Sequence, residues 1–84
     1  MKTTINAILI NGHTNEVTRR VELCNVILDE NRMSADRYNL LKRQMWKTVG
    51  QASKGFYWAL ETTEGLRDTF GGYPAHGFVR FEER

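Results

Sequence analysis

Nucleophilic catalysis needs a thiol or hydroxyl beside a histidine that a third group holds in place. The chain offers one cysteine, Cys24, hydroxyls such as Ser34 and Ser53, and two histidines, His13 and His76. No two of these stand at a spacing that local structure alone would bring together. Cys24 lies in Leu23-Cys24-Asn25-Val26, the surroundings of a small buried hydrophobe rather than of an activated thiolate. A single cysteine forms no intrachain disulfide, and with two distant histidines it supplies no zinc cage. Gly50 and Gly71-Gly72 lack the Gly-x-Gly-x-x-Gly and Gly-x4-Gly-Lys-[Ser/Thr] spacings that arrange backbone amides around a phosphate, which argues against nucleotide hydrolysis. The carboxylate neighbours Asp29-Glu30 and Glu82-Glu83 stand at a turn and near the carboxyl end, where acidic side chains face water. The expectation is a protein with no catalytic constellation, no metal and no cofactor.

Binding chemistry is better represented. Residues 31–54 carry Arg32, Arg37, Lys42, Arg43, Lys47 and Lys54 against Asp36 alone, a net charge of +5, while the flanking segments are mildly acidic and the whole chain is only +2. Such polarity bears on partners and on association rate. If the basic segment is helical, Leu40, Arg43 and Lys47 share its outward face with Asp36 and Gln51, and Trp46 lies on the flank. Trp and Arg dominate protein interface hot spots, so Leu40, Arg43, Trp46 and Lys47 form a candidate docking surface. The plainer alternative is that Trp46 covers a sheet edge and the lysines keep the helix soluble. The cations Lys42, Arg43, Lys47 and Lys54 could instead hold phosphates, with Tyr57 stacking on an unpaired base. A third surface is Phe70-Gly71-Gly72-Tyr73-Pro74, where Phe70 and Tyr73 flank a glycine hinge. It suits insertion into a partner's groove or closure over a small ligand beside Tyr57 and Trp58; equally, the two rings could fold back onto the core.

The elements that must position these residues follow from periodicity. Residues 3–10, Thr-Thr-Ile-Asn-Ala-Ile-Leu-Ile, predict a strand running into Asn11-Gly12, a hairpin signal of the type I′ class, with the loop free to extend through Asn15. A return strand is expected over 17–23, although Arg19 breaks its alternation. Val26-Ile27-Leu28 either continues it past a bulge or packs as a connector, and a helix across 17–28 is the competing pattern. Ser34 is a candidate N-cap, and Tyr38, Leu41, Met45, Val49 and Ala52 fall on one stripe, which predicts an amphipathic helix over 34–52. Residues 56–60 and 77–82 read as strands. The expected fold is α+β: a single domain with one four-stranded, mostly antiparallel sheet and one helix on one face, in the order β-β-α-β-β.

At 84 residues, 40% of them hydrophobic, the chain has room for one small core. It has neither an apolar run long enough to span a bilayer nor a leader-like amino terminus, so a cytoplasmic protein without membrane partners is expected. In its size and its lack of motifs the chain resembles the small proteins with which phages and other mobile elements inhibit host machinery, anti-CRISPR proteins included. Many of those mimic DNA with acidic surfaces, whereas this chain has a basic centre. The functional expectation is a non-enzymatic interaction protein that docks on a larger protein or nucleoprotein complex and inhibits or modulates it. A nucleic-acid-binding module using the basic helix is the second expectation, and a homodimeric small-ligand binder or sequestering protein the third. Self-association fits all three, through Phe78 or Val79.

Overall fold

The computed structural model describes residues 2–68, 74 and 77–83. Six strands and one helix follow in the order β1 (Lys2–Asn11), β2 (Val17–Ile27), β3 (Arg32–Ser34), α1 (Ala35–Val49), β4 (Phe56–Thr62), β5 (Arg67–Asp68) and β6 (Phe78–Glu82). The architecture is α+β with the helix packed against an antiparallel sheet, but the sheet has six strands rather than four, ordered β2-β1-β4-β5-β6-β3. The additions are β3 and β5, of three and two residues, which are too short to leave a periodic signature.

β1 is held by β2 on one side and β4 on the other, which explains its nearly continuous apolar sequence. Ile5, Ala7 and Leu9 face α1 and meet Trp58 and Leu60 of β4, Val79 and Phe81 of β6, and Tyr38, Leu41 and Met45 of the helix in the main core. Ile8 and Ile10 point the other way and form a second cluster with Ala59, against which Val17 packs. Val79 is thus a core residue rather than a surface for self-association, while Phe78 is exposed with the Arg32 guanidinium 5.3 Å from its ring centre. β2 continues to Ile27 past a register irregularity, which settles 17–27 as strand rather than helix.

The turns differ from the sequence expectation for identifiable reasons. Asn11-Gly12 does not make a two-residue hairpin: Asn11 N–H donates to Glu16 O, Asn15 takes a positive φ of 61°, and Asn11 Oδ1 accepts from His13 N. Gly12 serves close approach instead, because its N–H donates to Gly55 O at 2.8 Å and an added Cβ would lie 3.0 Å from that oxygen. The tight turn of I′ character falls at Glu30-Asn31, with φ values of 53° and 60° and Arg32 N–H donating to Asp29 O. Ser34 caps α1 by accepting from Arg37 N, and Asp36 sits in the first turn. The helix stops at Val49, short of residue 52, because Gly50 adopts φ 73° while its N–H still reaches Trp46 O.

Candidate functional site

The exposed face of α1 presents Leu40, Arg43 and Lys47 together, with Leu40 56% exposed at its centre. Their spacing makes them neighbours on the helix surface. Trp46 lies half-buried on the flank, where it packs against the core and lines a cleft of about 330 Å³ with Gln51, Ala52, Phe56, Tyr57 and Trp58. Gly50 makes this cleft by ending the helix early, so that 51–55 turn back and β4 opens with three consecutive aromatics beneath Trp46. Tyr57 is 39% exposed at the cleft, whereas Trp58 is only 5% exposed. The Trp58 indole Nε1–H is buried and, among the described residues, has no hydrogen-bond partner.

Arg19, the residue that broke the alternation of β2, has a place here. It stands opposite Leu9, which stands opposite Trp58, so all three share the helix-facing side of the sheet. The Arg19 guanidinium lies 5.9 Å from the Trp58 ring centre, a cation–π contact in which an exposed strand residue roofs the indole. Sequence reasoning placed Tyr57 and Trp58 beside a ligand together with the segment 70–74; among the described residues the walls opposite them come from the end of α1 and the segment after it. Phe70, Tyr73 and His76 lie outside the described residues.

Lys42 is a correction to the set of phosphate-binding cations. It is 1% exposed, with its ammonium 5.7 Å from the Tyr38 ring centre, so Arg43, Lys47 and Lys54 stand without it on the surface. Beneath the helix, Tyr38 donates its hydroxyl to Asp68 Oδ2, and Asp68 Oδ1 accepts from Leu60 N at 3.2 Å. Burial pushes the Lys42 pKa below the ordinary lysine range, and the charge of Asp68 partly opposes that shift.

This shift carries a pH dependence. Below its lowered folded-state pKa, Lys42 is protonated in both states and contributes no slope. Between that pKa and the ordinary lysine range the unfolded chain binds more protons, so stability rises with pH across that window. Urea midpoints of the wild type and of Lys42→Met, compared from neutral to alkaline pH, should show this rise in the wild type only; parallel curves would contradict it.

On the opposite face of the sheet, Glu61 is buried and accepts from Arg20 Nε at 3.1 Å and Arg67 Nε at 3.0 Å, clasping β2, β4 and β5. Cys24 is half-buried, and burial raises its pKa with the Arg37 charge in partial opposition, so the thiol is held protonated. Cys24 pairs with Ile5, and His13 follows Asn11 at the other end of β1. Six residues of strand separate the two by roughly 20 Å, which no shared chemistry bridges. Among the described residues, no group of three His, Cys, Asp or Glu side chains gathers to hold a metal ion, and no helix is long and apolar enough to cross a membrane. Compared with protein-family models, curated proteins and solved structures, the chain matches none.

Proposed function

We propose that the protein is a non-enzymatic docking module that binds a protein surface of a larger complex through the exposed face of α1 and the adjoining aromatic cleft, acting by steric blockade or as an adaptor. The observation that carries this reading is the cleft between Trp46, Tyr57 and Trp58, whose deepest aromatic holds a buried donor without an acceptor among the described residues. Buried donors are nearly always satisfied, and among the described residues this one has no acceptor, which supports a partner group in that role. A partner side chain that enters beside Trp46, displaces the cover over Nε1 and brings a carbonyl to accept from it meets both demands. Arg43 stands one helical turn from Trp46, and the apolar Leu40 stands amid the cations; an apolar centre with a charged rim is the anatomy of a protein interface.

A phosphate-binding surface wants its cations dense and its centre polar, and here Lys42 is withdrawn and Leu40 is displayed. The two classes of partner separate by salt, because a nucleic acid neutralised by several cations loses affinity steeply as salt rises. The test is affinity capture from the native host lysate in low and high salt, with and without nuclease, using the wild type and a Leu40→Asp/Trp46→Ala variant checked by circular dichroism. A protein retained through nuclease and salt by the wild type, and bound at least ~30-fold more weakly by the folded variant, is the expected result. Loss of all binding on nuclease treatment would transfer the function to nucleic acid. A folded variant that keeps its partner would remove this surface from the function. Native mass spectrometry of the purified protein tests the small-ligand alternative, which predicts a bound mass in the cleft.

A further inference from the structure

The strand at one edge of the sheet points to a second partner surface, independent of the cleft. β2, the longest strand, has 11 residues and, among the described residues, pairs only with β1. It forms one edge of the sheet, and three-residue β3 forms the other. Proteins usually blunt such edges by making them short, charged or bulged, because an unpaired row of N–H and C=O groups recruits another strand. β3 is short, but β2 is not. Its two register irregularities, between Leu9/Ile10 and between Ile5/Asn6, bracket an undisturbed stretch in which Arg19, Arg20, Val21 and Glu22 pair in order with Leu9, Ile8, Ala7 and Asn6. That stretch is straight enough to accept a strand.

The side chains select the strand. Two copies of β2 meeting antiparallel about a two-fold axis place the axial residue opposite itself, and residues directly opposite each other project to the same face. If the axis passes through Arg19 or Arg20, two guanidiniums oppose each other; through Glu22, two carboxylates do. Only the axis through Val21 avoids like charges, and it does more: each Arg20 then stands opposite the other copy's Glu22, twice by symmetry. Arg20 keeps over half its side chain exposed while its Nε engages Glu61, and Glu22 is exposed with no salt bridge among the described residues. Glu22 is therefore available, and Arg20 would offer its terminal nitrogens while its Nε stays on Glu61. Val21, half-buried on the helix side, is covered by its own symmetry mate.

We propose that the protein forms a two-fold symmetric dimer by antiparallel addition of β2 to β2 of a second copy, in the register that sets Val21 opposite Val21 and Arg20 opposite Glu22. The dimer does not depend on the docking reading, since it uses a different edge of the molecule and is read out by mass alone.

Sedimentation equilibrium across a concentration series should give twice the 9.8 kDa chain for the wild type. Glu22→Arg and Arg20→Glu should each run as monomers, because each opposes like charges twice. An equimolar mixture of the two should recover a one-to-one heterodimer, since one copy then brings two arginines to the other's two glutamates. Wild type that stays at the single-chain mass, or reversals that leave the dimer intact, would overturn the proposal. Because Arg20→Glu also disturbs Glu61, a second route avoids charge altogether. In a Cys24→Ser background, Val21→Cys should cross-link to its copy under mild oxidation, since opposed strand residues lie within the Cα separation a disulfide spans. Ile27→Cys, six residues from the axis, should not, and equal cross-linking of the two would reject this register.

Discussion

Replacing Asp68 by alanine should lower the unfolding free energy by about 3–5 kcal/mol, the range found when one partner of a buried charge pair is removed. Asp68 is 2% exposed, and both of its carboxylate oxygens are used, one by the Tyr38 hydroxyl and the other by Leu60 N. Alanine withdraws both acceptors and also the negative charge that favours protonated Lys42. Each buried donor left unsatisfied costs ~1–3 kcal/mol. For a domain whose whole stability is of order 5–15 kcal/mol, this loss brings the protein close to unfolding. Asp68→Asn should cost less, because the amide oxygen keeps one acceptor while the charge is lost. Lys42→Met should cost less than Asp68→Ala, since the desolvation penalty of the ammonium disappears and Asp68 keeps both of its hydrogen-bond donors, although the buried carboxylate loses its nearby positive charge. Urea denaturation at constant slope ranks the three. A fall of under 1 kcal/mol for Asp68→Ala would show that the carboxylate does not organise the packing beneath α1.

This buried cluster also marks where sequence reading reaches its limit. Tyr38, Leu41 and Met45 announce the buried stripe of α1, and Lys42 is one helical turn from Tyr38, so its position at the margin of that stripe was legible. Its counter-charge was not. Asp68 lies in a two-residue strand, too short for a periodic signal, that is fixed by pairing with β4 at Glu61 and with β6 at Glu82 and Phe81. The same division runs through the rest of the fold. Ser34, Asp36 and the periodic apolar positions define α1 because a cap and a 3.6-residue repeat are local properties. β3 and β5 exist because β6 offers them backbone partners. Asn11-Gly12 has the composition of a tight turn, yet the approach of Gly55 uses the glycine for space, and the tight turn moves to Glu30-Asn31, a pair whose composition signals it poorly. Of the proposed docking residues, Leu40, Arg43 and Lys47 could be placed on one face from their spacing alone. The cleft could not, because Trp46 and Trp58 belong to different elements and meet only through the early end of the helix at Gly50.

Trp58 joins stability to function, and two substitutions separate its roles. Trp58→Ala removes an indole that is 95% buried between Leu9 of β1 and the helix, and the loss should be about 3–5 kcal/mol, as for other large-to-small aromatic truncations. Arg19 would lose the ring over which its guanidinium lies. Trp58→Phe differs because it keeps an aromatic wall while deleting the Nε1–H that has no acceptor among the described residues. The apolar area lost with the second ring destabilises, while removal of an unsatisfied donor returns ~1–3 kcal/mol, so the net change should stay within about 1–2 kcal/mol. Partner affinity should respond in the opposite proportion. A donor that finds its acceptor only in the complex penalises the isolated fold and contributes about 1.5 kcal/mol to docking, so Trp58→Phe should bind roughly tenfold more weakly while the lost penalty offsets the lost ring area in stability. Chemical denaturation and calorimetric titration of the same preparations read the two quantities side by side. Undiminished affinity in Trp58→Phe would mean that the partner leaves the indole N–H unpaired, and the cleft would then owe its role in docking to aromatic packing against Trp46 and Tyr57 alone.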